Sequence, residues 1–306
     1  MVVTVGIPFY NARATLRDTI RSLFAQTIHD WELILIDDGS VDESVEIARS
    51  VQDPRVRVIS DGVNHGVSYR HNQIAEAARG KYIAKLDDDD LMHPERLERQ
   101  IRYLEAQENV DLVGSSVYTI SLDSKVSGMR NCDNSELTPA NVLARCSLYQ
   151  PTLTGRAEWF RRHRYDPRFI RSQDHELFNR TFNCSTVRAM REPLVFYREG
   201  RSRTINKYQL SSRWDRQIFL QYGCGIVGWP ATVRLIASSF IKTEVYRVLW
   251  LCRLEELWIR RGRRRLDQQH LAAAQSTLDA IRRTAVPGFQ EVSSDLKKVR
   301  IAMSSQ

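Results

Sequence analysis

Five cysteines, Cys132, Cys146, Cys184, Cys224 and Cys252, are scattered over 306 residues, and no two form a C-x-x-C pair. An odd, dispersed set argues against a disulfide framework and a cysteine zinc site, and it suits a reducing cytoplasm. Long hydrophobic runs are also lacking. Charge interrupts every apolar stretch before the roughly 18–20 residues that a membrane-spanning helix needs. The apolar run Val2 to Phe9 follows Met1 without a basic leader, so no signal peptide is expected. There is no internal repeat and no low-complexity block. Two further absences concern chemistry. No Gly-rich, Lys- or Arg-bearing loop follows the first apolar run, where a nucleotidyltransferase that makes sugar nucleotides would carry one. No carboxylate follows it either, as a phosphatase with a first-strand Asp nucleophile would require.

With 42% hydrophobic and 27% charged residues, the chain can bury one large core, with or without an appendage. Its net charge of +8 is unevenly spread: residues 1–206 carry 28 basic and 29 acidic side chains, and residues 207–306 carry 17 and 8. A neutral body with a basic tail points to an anionic surface met outside the catalytic site.

The apolar pattern alternates between two periods. Val2 to Pro8 reads as a strand, and Ala14, Leu16, Ile20, Leu23 and Phe24 then recur at helical spacing. Strand and helix follow again at Trp31 to Ile36 and Ser44 to Val51, and at Val56 to Ser60 and Ser68 to Ala78. Tyr82 to Leu86 is a fourth strand, and Pro94 to Leu104 opens on a proline as an amphipathic helix. This spacing predicts βαβ units and a mainly parallel sheet flanked by helices. Strands at Leu112 to Ile120 and Val195 to Arg198 and a helix from near Asp174 are expected in a mixed second half. Beyond about residue 206 the chain becomes helical and rich in Arg, Trp and Leu.

In parallel sheets, ligands bind outside the carboxyl ends of the strands. Carboxylates fall at two such ends: Asp37-Asp38-Gly39-Ser40 and Asp87-Asp88-Asp89-Asp90. Alternate carboxylates at a sheet mouth can hold a hard divalent cation and leave coordination places for phosphate. At the first end a carboxylate can accept the N–H of a nucleobase, while Gly39 lets the backbone turn. The plain alternative for each is a capped βα turn.

The order Pro8-Phe9-Tyr10-Asn11, Gln26-Thr27, Trp31-Glu32, Asp37-Asp38-Gly39-Ser40-Val41-Asp42 resembles the opening of glycosyltransferase family 2. Asn64-His65-Gly66, Asn72, Gly80-Lys81-Tyr82-Ile83-Ala84 and Asp87-x-Asp89 continue the match in sequence. The resemblance is strong over residues 3–105 and readable to about residue 200. It implies a GT-A fold and an inverting transferase that uses a nucleotide-diphosphate sugar. It divides the chain into a catalytic domain over residues 1–206, with a nucleotide-binding half at 1–105 and an acceptor half at 106–206, and a basic helical region over 207–306.

Carried over position by position, Pro8, Tyr10 and Asp38 are expected to contact base and ribose. Asp87 and Asp88 are expected at the donor, and Asp87 and Asp89 at Mn²⁺ or Mg²⁺. Arg70, one place earlier than the family's usual arginine, is a candidate phosphate or base contact. Asp174, in Ser172-Gln173-Asp174-His175-Glu176-Leu177, stands where the family carries the base that deprotonates the acceptor hydroxyl, although Gln173 replaces the usual glutamate. His175 and Glu176 are expected to be structural. Arg198, Arg201 and Arg203 are candidates for neutralising the diphosphate.

The implied reaction moves a sugar, from a UDP-sugar by family frequency, to a hydroxyl of a glycan or lipid-linked acceptor in surface polysaccharide synthesis. The competing reading is a nucleotide-sugar-binding or assembly protein with a degenerate site. In the tail, Ile236, Phe240, Tyr246, Trp250, Leu254, Leu257 and Trp258 are expected on one helical face and Lys242, Arg253 and Arg260 on another. Such a helix can lie on an anionic membrane, pack on the catalytic domain or pair with a second copy of the chain. The cluster Arg260, Arg261, Arg263, Arg264 and Arg265 comes without a nucleic-acid recognition fold, so no nucleic acid is expected. These features together predict a cytoplasmic protein held peripherally at the inner face of a membrane.

Overall fold

Val3–Phe9 is an apolar run with every residue buried, and it forms β1, the strand on which the sheet is built. The computed structural model describes residues 1–132, 137–145, 148–199, 205–254 and 262–289. Cys146, Arg201, Arg203, Leu257, Trp258, Arg260 and Arg261 lie outside them. After β1 the chain runs through α1 (Leu16–Phe24), β2 (Trp31–Asp37), α2 (Ser44–Arg49), β3 (Val56–Ile59), α3 (Val67–Ala77) and β4 (Tyr82–Lys85). β1 pairs in parallel with both β2 and β4, and β2 with β3. This half follows the expected βαβ alternation.

The second half is mixed. Its elements are β5 (Leu91–Met92), α4 (Arg96–Ala106), β6 (Leu112–Ile120), β7 (Val126–Arg130), α5 (Pro139–Ala144), β8 (Thr154–Arg156), α6 (Ala157–Arg162), α7 (Gln173–Thr181) and β9 (Val187–Arg198). The strand order is β3-β2-β1-β4-β8-β6-β9-β5, with β7 on β6. β8 runs antiparallel to both β4 and β6, so it reverses the sheet at its centre, and β6 and β9 then pair in parallel. The sheet is therefore mixed, as expected, with most of its parallel pairing in the first half. Apolar side chains from the two faces form separate clusters, one with α1, α2 and α4 and one with α3, α6 and α7.

The tail contains α8 (Ile205–Val227), α9 (Trp229–Leu251) and α10 (Gln268–Arg282). α8 lays Ile218 and Phe219 on Leu143 of α5 and on Phe169. Gly228, at φ 78°, turns the chain into α9, and Gly223 lets the two helices approach closely, since a Cβ there would lie 2.6 Å from Thr232 Oγ1. α10 returns to the sheet, where Ala274, Leu278 and Ile281 pack with Leu91, Ile120 and Phe196. Arg282 also reaches Asp18 of α1 at 2.7 Å.

The apolar face expected in the tail is not a single outward face. Tyr246 is buried and stacks on Tyr208 with ring centroids 4.1 Å apart, and Ile236 packs into the α8 cluster. Phe240 lies under the Arg216 guanidinium. Tyr246 and Ile236 thus face the neighbouring helix of the hairpin, whereas Phe240, Trp250 and Leu254 stay 41–55% exposed. The side turned to solvent carries Val233, Ile241, Val245, Val248 and Leu251, which are 43–66% exposed. Among the described residues no helix is long and apolar enough to cross a membrane.

Candidate active site

At the end of β2 two adjacent aspartates do different work. Asp37 is buried and accepts hydrogen bonds from Ser40 N (2.9 Å) and Ser60 Oγ (2.8 Å), which fixes the turn. Asp38 faces the cleft and is cradled from behind. His65 N (2.9 Å) and Gly66 N donate to it, and so does Arg70 Nε (2.9 Å). The Asn64-His65-Gly66 element thus wraps the Asp38 carboxylate at the start of α3. Gly39, at φ 80°, permits this, because a Cβ there would lie 2.9 Å from Asn64 N.

Arg70 is fully buried, and besides Asp38 it binds Asp61 through Nη2 and Nη1 at 2.6 and 3.0 Å. Its hydrogen bonds hold Asp61 well below the usual carboxylate range. The expected direct phosphate or base contact of Arg70 is therefore corrected. The guanidinium neutralises two carboxylates and orients Asp38 from behind.

β4 leads into the acidic tetrad, and the structure resolves its register. Asp87, Asp88 and Asp89 line the cleft, whereas Asp90 is buried with Oδ1 accepting from Arg198 N at 2.7 Å. Asp88 Oδ2 accepts from Tyr10 N at 3.1 Å, tying the loop after β1 to the tetrad. Burial and the neighbouring Asp89 carboxylate push Asp87 above the usual carboxylate range. Clustered carboxylates resist sharing negative charge, which is the condition a divalent cation relieves.

Among the described residues no group of three or more His, Cys, Asp or Glu side chains is arranged to hold a metal ion. Asp87 and Asp89 do line the same cleft, and Mg²⁺ or Mn²⁺ can bind through only one or two carboxylates, with phosphate oxygens and water for the rest. Arg198 is not available to a diphosphate. Its buried guanidinium donates to the carbonyls of Asp89 (2.9 Å), Ser121 (3.0 Å) and Leu122 (2.9 Å), so it braces the tetrad. Arg201 and Arg203 lie outside the described residues.

The cleft has a volume of about 510 Å³. Pro8, Tyr10, Asp38 and Asp87 to Asp89 line it from the first half, and Gln150, Ile170, Arg171 and Gln173 from the second. Pro8, Tyr10, Asp38, Asp87, Asp88 and Asp89 are thus brought together, whereas Arg70 and Arg198 are not in the lining. Asp174, one residue beyond Gln173, is not itself in the lining. It lies behind the wall with its side chain 17% exposed.

Asp174 does not cap its helix. Lys85 Nζ donates to its Oδ1 at 3.1 Å and Tyr165 Oη to the same atom at 2.6 Å. His175 and Glu176 are structural, as expected. The His175 ring meets Asp215 Oδ1 (3.1 Å) and the Leu143 carbonyl (2.8 Å), and Glu176 pairs with Arg180 and accepts from Tyr222 Oη.

Sequence reasoning missed Lys85, Tyr165, Gln150 and Arg171. Only Lys85 left a signal: a lysine inside a strand whose four residues are all buried needs a partner for its charge. Tyr165 and Gln150 stand in stretches with no periodic pattern, and Arg171 is one arginine among many.

The family model described as Glycosyl transferase family 2 matches residues 4–195. EpsJ of Bacillus subtilis, an uncharacterized glycosyltransferase, is 33% identical over 171 residues, covering 55% of this chain and 45% of EpsJ. TuaG of the same organism, a putative teichuronic acid biosynthesis glycosyltransferase, is 35% identical over 105 residues, covering 34% of this chain and 42% of TuaG. The chain thus spans less than half the length of these relatives. Among solved structures, S. aureus TarS residues 1–349 in complex with UDP superposes with a TM-score of 0.58 at 16% identity, covering 78% of this chain and 71% of that one. Mannosyltransferase PcManGT from Pyrobaculum calidifontis, in complex with GDP-Man and Mn²⁺, gives 0.55 at 15% identity, covering 99% and 80%. At such identities the superpositions speak for the fold, which is of the GT-A type. By the family match over most of its sheet, this chain belongs to glycosyl transferase family 2.

Proposed function

We propose that the protein is an inverting, metal-dependent glycosyltransferase that moves a sugar from a nucleotide-diphosphate donor to a hydroxyl of a glycan or lipid-linked acceptor. The observation that carries this reading is the cleft itself. Asp38 and Asp87 to Asp89, from two strand ends, share one cavity, and the carboxylate of Asp174, from the other half of the chain, lies just behind Gln173 in its wall.

Breaking an anomeric C–O bond leaves negative charge on the departing nucleoside diphosphate. Mn²⁺ or Mg²⁺, when bound, would supply charge stabilisation there, and Asp87 and Asp89 are the residues that would hold it. Pro8 and Tyr10 flank the nucleoside, with Asp38 accepting from the base edge and Asp88 ordering the Tyr10 loop. Arg171 takes the place first expected of Arg198 at the diphosphate. Asp174 accepts the acceptor's proton. One base without an enzyme nucleophile gives single displacement and hence inversion.

The family's bound relatives support a nucleotide-sugar donor, since TarS is solved with UDP-GlcNAc and PcManGT with GDP-Man. We favour a UDP-sugar. TuaG and the succinoglycan biosynthesis protein ExoO favour surface polysaccharide synthesis. Catalysis is assigned to residues 1–206, with 207–306 as the basic helical region. For the tail we propose docking on the inner, anionic face of a membrane from the cytoplasmic side. Its outward contact is the exposed side of α9, Phe240 included, with Arg234 and Lys242 exposed beside it.

A panel of UDP-, GDP- and dTDP-sugars, with and without Mn²⁺, scored for nucleoside diphosphate release, tests the reading. Release from one donor class that requires the metal is expected. Binding without release from any donor would instead favour a non-catalytic nucleotide-sugar-binding protein.

A further inference from the structure

Lys85 ends β4 two residues before Asp87, and its side chain is only 3% exposed. A buried ammonium is tolerated only when its charge and its protons are matched. Its Nζ meets Asp174 Oδ1 at 3.1 Å and the Tyr165 hydroxyl in a short hydrogen bond. The Gln150 amide, oriented so that its donors face acceptors, accepts from Lys85 Nζ at 2.7 Å and from His71 Nε2 at 2.9 Å, and donates to Asp87 Oδ1 at 2.7 Å. The ammonium thus lies between the donor-side and acceptor-side carboxylates.

Tyr165 is itself held in place. Asn72 Nδ2 donates to the Tyr165 carbonyl and Asn72 Oδ1 accepts from Tyr165 N, both at 2.9 Å, and the His71 ring packs 5.3 Å from the tyrosine ring. The asparagine that belongs to the sequence motif of the nucleotide half therefore anchors a residue of the acceptor half.

Both donors to Asp174 converge on Oδ1. A carboxylate gripped at one oxygen has a fixed orientation and keeps the other free to take a proton. Among the described residues, Oδ2 has no hydrogen-bond partner. We propose that Lys85 and Tyr165 are the positioning residues of the acceptor-side base, gripping Asp174 Oδ1 so that Oδ2 is presented to the acceptor hydroxyl.

This rests on Asp174 being the base, so the experiment separates the two claims. Nucleoside diphosphate release with Mn²⁺ is measured for Tyr165→Phe, Lys85→Met, Lys85→Arg and Asp174→Asn, and for each of the first three combined with Asp174→Asn. Binding of UDP, GDP and dTDP with Mn²⁺ is measured in parallel. Tyr165→Phe should lower kcat about 10-fold and Lys85→Met about 100-fold, with KM for the donor and nucleotide affinity little changed. Lys85→Arg should recover part of the loss. In the Asp174→Asn background, Tyr165→Phe should add almost nothing, because residues acting through one group are non-additive. Full kcat in Tyr165→Phe, or losses that multiply with that of Asp174→Asn, would overturn the positioning role. Tyr165→Phe keeps the ring in place, so it carries the test even if Lys85→Met fails to fold. Normal turnover in Asp174→Asn alone would instead overturn the base assignment beneath it.

Discussion

The β1–β4 half of the sheet and the α8–α9 hairpin are both strongly apolar, yet they use that character differently. Every residue of β1 and β2 is buried, and the polar ones are paired. Thr4 donates to Glu32 at 2.6 Å, and Glu32 in turn meets Arg57 and Arg79 N. Along the outer side of α9, by contrast, Val233, Ile241, Val245, Val248 and Leu251 face solvent. The fold of the chain accounts for the first pattern. It leaves the second without a purpose, and a set of exposed apolar side chains on one helix, here interrupted by the exposed Glu244–Arg247 pair, is more typical of a docking surface than of a free one. The sheet half buries its apolar residues in the core, whereas the outer side of α9 keeps them in contact with solvent.

If that difference marks separate roles, substitutions in the sheet half should cost turnover or stability, and those on the outer side of α9 should cost neither. The largest effect is expected for Asp89→Ala, which should lower metal-dependent release on the order of 10³-fold while leaving the melting temperature in place. Asp174→Asn should follow, with a loss of about 10²-fold or more in acceptor-dependent turnover. Arg70→Leu should act chiefly through stability. It leaves Asp38 and Asp61 without their counter-ion, and urea unfolding should show a loss of about 3 kcal/mol. The smallest effect on catalysis is expected for Ile241→Ser, Val245→Ser and Val248→Ser combined. Turnover on a soluble acceptor and urea stability should both stay near wild type, while co-sedimentation with anionic vesicles is lost. Retained vesicle binding in that variant, or a parent protein that never binds vesicles, would break the comparison and leave packing or self-association as the role of the strip.

What the sequence made legible follows the physics of each segment. Apolar runs of β period followed by helical spacing located β1 to β4 and α1 to α4, because those elements are long enough to show a period. β8 is three residues, Thr154–Arg156, and no pattern could show that it turns the sheet antiparallel. β9 starts at Val187, eight residues before the expected Val195, because the exposed Arg188, Arg191 and Glu192 hide its first part. The aspartates at strand ends were readable because topology alone puts them at the mouth of the sheet. Arg70 and Arg198 were misassigned because an arginine in a sequence does not reveal whether its guanidinium faces a ligand or a buried acceptor. The grip of Lys85 and Tyr165 on Asp174 was invisible for a different reason. Lys85 lies 80 residues from Tyr165 and 89 from Asp174 in sequence, and only the folded sheet brings them together.

The central claim is that one cleft divides its labour, with Asp89 serving the donor and Asp174 the acceptor. Calorimetric titration of the cognate nucleoside diphosphate with Mn²⁺ into wild type, Asp89→Ala and Asp174→Asn tests it most directly. Binding lost in Asp89→Ala and kept in Asp174→Asn is the predicted result. Binding that survives Asp89→Ala, or collapses in Asp174→Asn, would contradict it.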